Sequence, residues 1–338
     1  MKKAVILFNL GGPDKLESVE PFLFNLFNDP EILSIPSIFR YPLAKFISKR
    51  RAPIAKNIYK EIGNKSPILE LTQNQAKSLE NKLSSKGNYK CFVVMRCWHP
   101  RAIDVIKKVK EFNPIEITLL PLYPQFSAAT SGSSINEWND LCKKENYKVK
   151  TKTICCYPTE NNFLKSHVNL IKKTIKNIKN KNFKLLFSAH GLPEIKIKKG
   201  DPYQWQVEES VRAIMFKLEH ENLDYSISYQ SRVGPLKWIG PSTDEEIIKY
   251  SKEKKGIVIV PVAFVSEHSE TLVELDIEYK KLAEKNGCSF YKRVPALGIE
   301  ENFIKGLTEL VLQQETRGDF LSSVVCPNKY VKCPCLGL

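Results

Sequence analysis

The sequence predicts an α/β fold in two halves, each a parallel sheet covered by helices. Apolar, strand-like runs recur near residues 3–9, 90–96, 116–122, 184–189, 224–229 and 257–264. Helical patterns separate them, and that alternation implies parallel strands joined by helical crossovers. Two runs, near the starts of the two halves, end in comparable loops, Asn9-Leu-Gly-Gly-Pro13 and His190-Gly-Leu-Pro193, a faint internal duplication. A length of 338 residues accommodates two domains of ordinary size.

Taken in order, the elements carry their own signals. Lys2-Lys-Ala-Val-Ile-Leu-Phe-Asn-Leu10 looks superficially like a secretory leader, but its apolar part is short and runs into Gly11-Gly12-Pro13 instead of a small-residue cleavage site. It reads as the first strand. The segment 34–51 interleaves Ile38, Phe39, Leu43, Phe46 and Ile47 with Lys45, Lys49, Arg50 and Arg51, which suits either an interfacial segment on an anionic leaflet or an amphipathic core helix. No uninterrupted apolar stretch approaches the roughly 18 residues of a membrane-spanning helix. A hydrophobic content of 42% and a mean hydropathy of −0.29 describe a globular chain. The net charge of +15 is mostly Lys scattered over polar helix faces such as 170–179, and no nucleic-acid module accompanies it, so nucleic acid is not expected as a partner. The absence of a G-x-G-x-x-G loop argues against a dinucleotide enzyme.

Two segments concentrate the chemistry. Lys184-Leu-Leu-Phe-Ser-Ala-His190-Gly-Leu-Pro193 reads as a buried strand delivering one imidazole to its carboxyl edge, where open α/β sheets bind ligands. The apolar run Gly256–Phe264 is followed by a predicted helix on which Glu267, Glu270, Glu274 and Glu278 fall within about 80° at 100° per residue. Like charges four apart cost roughly 0.2–0.5 kcal/mol per pair, so the stripe has to be explained: either the helix macrodipole favours Glu267 and Glu270 while Glu274 and Glu278 are solvated near Lys280 and Lys281, or the four acids share a use. A neutral imidazole facing carboxylates, which attract hard divalent cations such as Fe²⁺, suits exchange of a metal for protons.

These residues resemble those of the ferrochelatase family. Besides Ser188-Ala-His-Gly-Leu-Pro193 and Ser266-Glu-His-Ser-Glu-Thr-Leu-Val-Glu-Leu-Asp-Ile-Glu-Tyr279, the family pattern is visible at Leu7–Pro13, Lys49–Pro53, Gly63–Ile68, Met95-Arg-Cys-Trp-His-Pro100, Tyr123–Ser127, Gly132–Ser134 and Gln230–Thr243. The resemblance implies a lyase that inserts Fe²⁺ into protoporphyrin IX with release of two protons, giving protoheme in the last step of heme biosynthesis. It implies a chelatase-type fold of two Rossmann-like domains with the active-site cleft between them. These would be an N-terminal domain at 1–148 with a porphyrin lip at 34–51, and a C-terminal domain at 149–298 carrying His190 and the Glu stripe. Residues 299–338 would form a helix packing back on the first domain and a Cys-rich tail.

Carried over residue by residue, the resemblance makes His190 and Glu270 catalytic, His190 as proton acceptor or first metal ligand. Glu270, Glu274 and Glu278 form with it a line for iron or protons, supported by Glu267 and His268. Leu10, Arg96, Phe126, Ser127, Trp238 and Ile239 match porphyrin-binding positions. Arg96 would bind a propionate or salt-bridge a loop. Ser127, Ser133 and Ser134 would bind the metal path or the propionates, or cap the helix near Ile135. Cys97 departs from the family, where an aromatic Tyr is common. The implied setting is cytoplasmic, with peripheral membrane contact at the inner face and a possible homodimer.

The 9 cysteines, without a secretory leader, point to free thiols or metal ligands. Cys326, Cys333 and Cys335 form a C-terminal C-x6-C-x-C. Some bacterial ferrochelatases have such a tail, which with one mid-chain Cys holds a 2Fe-2S cluster; here Cys155 or Cys156 would be the fourth ligand. A disordered thiol tail or a four-Cys zinc site are the alternatives. Rival functions are coproporphyrin III as substrate, a same-fold chelatase for another tetrapyrrole, and a non-enzymatic heme-binding protein.

Overall fold

In the first strand, β1 (Lys2–Asn9), residues Ala4 to Phe8 are all essentially inaccessible, which is why the sequence shows a continuous apolar run instead of alternation. The computed structural model, which describes residues 1–180, 182–218, 223–232 and 234–336, places β1 in a parallel sheet between β2 (Asn88–Met95) and β3 (Glu116–Pro121). The sheet continues through β4 (Lys150–Cys156) to the short β9 (Phe320–Ser322), in the order β2-β1-β3-β4-β9. A second sheet has the order β6-β5-β7-β8, from β5 (Phe183–His190), β6 (Tyr225–Gln230), β7 (Gly256–Pro261) and β8 (Tyr291–Arg293). The predicted strands are all present, and β4, β8 and β9 are added.

By Cα packing the chain divides into two compact units. One contains Met1–Cys155 and Leu307–Leu321, the other Cys156–Gly306 and Ser322–Leu338. The division thus falls after Cys155, because β4 completes the first sheet. The helix α11 (Glu301–Gln314) contributes its residues from Leu307 onward to the first unit. There the buried Lys152 ammonium donates to the carbonyls of Gln314 and Glu315, both at 2.8 Å, satisfying the open end of α11.

Each unit packs helices on its sheet. In the first, α4 (Ala102–Phe112) and α5 (Ser133–Lys144) bury Ile106, Val109 and Trp138 against Ile6, Phe8 and Leu119. A separate layer joins α1 (Val19–Phe27) to α2 (Ser37–Lys60) through Val19, Phe22, Leu23, Ala52 and Tyr59. In the second, α9 (Thr243–Lys252) starts at a capping box of Ser242 and Glu245, and with α10 (Tyr279–Lys285) buries Ile247, Tyr250 and Ala283 on Ile257 and Ile259.

The two sheets share one register. Phe8 is opposite Pro121 in the first, and Ser188 is opposite Pro261 in the second. Just beyond, Leu122 N donates to Phe8 O at 2.8 Å and Val262 N to Ser188 O at 3.1 Å. Leu10-Gly-Gly-Pro13 is therefore the counterpart of His190-Gly-Leu-Pro193, which gives the faint duplication a structural basis. Each third strand also leads to a π-helix, Ala128–Gly132 after β3 and Glu270–Glu278 after β7.

Candidate active site

The order β6-β5-β7-β8 makes the gap between β5 and β7 the point where the chain reverses direction across the second sheet. Ligands of open α/β sheets bind outside the strand carboxyl ends at that point. His190 is the last residue of β5, and Glu270 opens the π-helix that follows β7. His190 Nε2 lies 3.7 Å from Glu270 Oε1, with both side chains about one-third exposed, at 37% and 30%. Because a carbonyl only accepts, the 2.6 Å contact of His190 Nδ1 with Gly191 O places the proton on Nδ1. In that tautomer Nε2 is the ring nitrogen left to accept a proton. Gly191 is required here: a Cβ would sit 2.9 Å from Gln230 O and 3.1 Å from the Trp238 ring.

The acid-bearing helix differs from expectation. Its i→i+5 bonding widens the turn, so residues four apart lie closer to one line than the 40° offset of an α-helix. Glu270, Glu274 and Glu278 run along it from the imidazole to an exposed end at Glu278. Glu274 accepts from Gln230 Nε2 (2.9 Å), Ser231 N (3.0 Å), Ser231 Oγ (2.5 Å) and Tyr279 Oη (2.9 Å). Burial and the neighbouring Glu270 charge still push its carboxyl above the ordinary range.

Glu267 does not join this line. It precedes the π-helix and accepts from Arg293 Nη1 at 2.9 and 3.1 Å, while Arg293 also forks onto Asp276 with two 2.7 Å bonds. Burial alone would raise Glu267, but Arg293 brings it below the usual carboxylate value. His268 packs edge-on against Phe264, its ring centroid 4.7 Å away, and burial lowers its pKa, favouring the neutral ring. Tyr203, at the start of α8 (Tyr203–Lys217), is a residue the sequence reading missed: its buried phenol meets the His190 backbone and feels Glu270, and burial raises its pKa. Among the described residues, no three His, Cys, Asp or Glu side chains are arranged to hold a metal ion.

Trp238 is half-buried beside Gly191, held by a bridge to Pro193, while Ile239 is buried, its N–H bonded to Leu192 O. The other expected porphyrin contacts lie in the first unit. Leu10 packs partly exposed against the α1 and α2 layer, and Phe126 is buried. Ser127 is buried and caps the π-helix there through Ala129 N at 3.2 Å. Arg96 is committed within this unit, with Nη2 2.8 Å from Asp29, Nη1 3.1 Å from Glu137 and Nε donating to Ser133 Oγ at 2.7 Å. The salt bridge, one of the two readings of Arg96, is therefore present. Buried Cys97 has its thiol pushed up to about 12 by burial.

The second unit also gathers thiols. Cys156, Cys326, Cys333 and Cys335 are all buried, and none of them is in a disulfide. Gln206 Nε2 lies 3.4 Å from Cys156 Sγ and 3.2 Å from Cys326 Sγ, and the Cys326 thiol hydrogen-bonds with Cys333. Successive strand residues face opposite sides, so Cys155 points away from the face on which Cys156 meets the tail.

Comparison with known proteins shows the family of the chain. The family model described as ferrochelatase matches residues 2–315. The chain is 65% identical to the ferrochelatase of Pelagibacter ubique, over 99% of both chains, and 50% identical to that of Rickettsia felis, again over 99% of both. Among solved structures it resembles SirB from Bacillus subtilis with Fe³⁺, at a TM-score of 0.56 and 13% identity, covering 95% of this chain and 100% of that one. This last likeness concerns the fold alone.

Proposed function

We propose, for a chain that belongs to the ferrochelatase family, that His190 and Glu270 carry out the metal-for-proton exchange by which Fe²⁺ enters protoporphyrin IX in heme synthesis. The observation that carries this reading is the placement of His190, whose Nδ1 contacts Gly191 O at 2.6 Å and whose Nε2 faces Glu270 at 3.7 Å. Nε2 takes a pyrrole proton. The Glu270 carboxylate, too distant for a direct hydrogen bond, stabilises the imidazolium that forms. Glu274, whose raised pKa suits it to hold a proton nearer neutrality, accepts next, and exposed Glu278 passes it to water.

The same oxygens suit Fe²⁺ moving inward. Bending the ring to expose its nitrogens is assigned to apolar contact with Trp238, which lies beside Gly191 in the same unit as His190. The test is anaerobic mixing of protein, Fe²⁺ and protoporphyrin IX, followed by visible spectra. His190→Ala should abolish insertion while porphyrin binding persists; full activity in that variant overturns the assignment.

A 2Fe-2S cluster is proposed for the thiol group, with Cys156 as its mid-chain ligand beside Cys326, Cys333 and Cys335. The donor set fits in kind and neighbourhood, with four buried thiols in one unit, outside disulfides, and three of them linked by hydrogen bonds, while among the described residues no three are already drawn together around a metal position. Such a cluster, when bound, supplies one-electron redox chemistry and cross-links a tail with little core of its own.

Peripheral membrane contact is proposed for α2. Its small buried stripe of Ala44, Ser48 and Ala52 leaves Ile38, Phe39, Leu43, Phe46 and Ile54 exposed beside Lys45, Lys49 and Arg50. Among the described residues no helix is long and apolar enough to cross a membrane.

A further inference from the structure

We infer that Gln206 positions the cluster thiolates by hydrogen-bonding to two of their sulfurs, an inference that rests on the cluster proposed above. Gln206 is completely buried in the first turn of α8, and one nitrogen, Nε2, reaches both Cys156 Sγ at 3.4 Å and Cys326 Sγ at 3.2 Å. A primary amide has two N–H groups, one for each sulfur. The two cysteines lie 50 and 120 residues away along the chain, so this amide joins the strand ligand to the tail.

The choice of residue has a chemical reason. A thiol sulfur is a weak acceptor, and a fully buried amide gains little from two of them. A thiolate bound to iron is a charged acceptor, and N–H donors to it hold the ligand in place and favour the more negative, reduced state. The other polar neighbour is already engaged: Ser322 Oγ lies 3.1 Å from Cys156 Sγ, but its hydroxyl donates to Val324 O at 2.7 Å. Gln206 therefore supplies the N–H groups.

The backbone beneath Gln206 is fixed by the tail itself. Trp205 stacks on Tyr330 with centroids 5.7 Å apart, and Lys332 N donates to Gly200 O at 3.1 Å. Gly200, at φ +88°, lies where a Cβ would come within 2.6 Å of Val331. The turn that opens α8 is thus the tail's docking surface, and Gln206 is its inward-facing side chain.

The experiment uses anaerobically purified full-length protein, with iron and acid-labile sulfide analysis and an EPR-monitored redox titration of wild type and Gln206→Leu. The midpoint potential should move to a more negative value in Gln206→Leu, with shifted g-values. Because Gln206→Leu can fail to load, pulsed EPR of the reduced wild type labelled with ¹⁵N at glutamine side-chain amides provides a second readout, and it should show hyperfine coupling to that nitrogen. Wild-type protein with a cluster but no such coupling, or a loaded Gln206→Leu with unchanged potential and g-values, overturns the inference alone. Wild-type protein without acid-labile sulfide overturns the cluster and the inference together.

Discussion

Replacing Arg293 with Met should destabilise the second unit and disturb the acid line at once. Arg293 is 11% exposed and makes N–H···O contacts of 2.7, 2.7, 2.9 and 3.1 Å to two carboxylates, tying β8 to Asp276 on the π-helix and to Glu267 ahead of it. Removing the guanidinium leaves those carboxylates without their cation, and breaking a buried pair costs about 3–5 kcal/mol. Glu267 and Asp276 keep side-chain exposures of 22% and 37%, so the lower end, about 3 kcal/mol, is the better figure. At roughly 2–4 °C per kcal/mol for a unit of this size, the melting temperature should fall by about 6–12 °C. The pH dependence gives a sharper check. Glu267 has a folded pKa below its ordinary 4.5, so its contribution in the native protein is present above that value and lost as pH falls through the folded pKa. In Arg293→Met the desolvated Glu267 has a raised pKa, so the variant's penalty is relieved once pH falls below about 4.5. Thermal melts by circular dichroism at pH 7 and pH 4 should show the gap narrowing at pH 4. A gap that is equal at both values, or below 2 °C at pH 7, would falsify the assignment of Arg293 as the charge clamp.

Three other outcomes are expected. Ser231→Ala removes a donor that lowers the Glu274 pKa, so the acid limb of the pH–kcat/KM profile should move to higher pH; an unmoved limb, or one moved to lower pH, removes Glu274 from the proton line. Cys156→Ser should abolish cluster absorbance and acid-labile sulfide while Cys155→Ser keeps both, and the reverse result would place the mid-chain ligand on the opposite face of β4. Phe46→Asp, at a position 63% exposed, should leave the melting temperature within about 2 °C yet weaken binding to anionic vesicles several-fold in co-sedimentation; unchanged binding would remove α2 from the membrane contact.

How much of this was legible in the sequence depended on burial. β1 and β5 were readable because both faces are covered and their centres, residues 4–8 and 185–187, are apolar. β4 was not: Lys150-Thr-Lys-Thr alternates without an apolar face, and the reason for Lys152, its bonds to the end of α11, lies over 160 residues away. β8 has only 3 residues and no pattern to detect. The acid line was legible because spacing of four aligns side chains on either kind of helix, but that same spacing conceals whether the turn is α or π. Nothing local marked Glu267 as the acid turned toward Arg293. Gln230 and Ser231 were visible only as part of a family pattern. Their place at the end of β6, with Gln230 in register with His190, is what directs them to Glu274. The choice between Cys155 and Cys156 likewise needed the facing of β4, which sequence leaves ambiguous.

The matching register lets one architecture present an imidazole at a strand end in one unit and an apolar side chain at the equivalent place in the other. The position equivalent to His190 is Leu10, and each loop continues through Gly to Pro at the same offset. Each third strand leads to a π-helix, but the first, Ala128-Ala-Thr-Ser-Gly132, is small and uncharged, whereas the second begins with Glu270 and has an acid every fourth residue. A π-turn forgoes regular α-helical bonding, and such segments recur at functional sites. Retention of the geometry in both units, with titratable groups in only one, is what a duplicated scaffold would leave if one copy kept the proton chemistry and the other kept an apolar surface. On that reasoning Leu10 is the counterpart of the base, an apolar residue at the strand end where the second unit presents an imidazole.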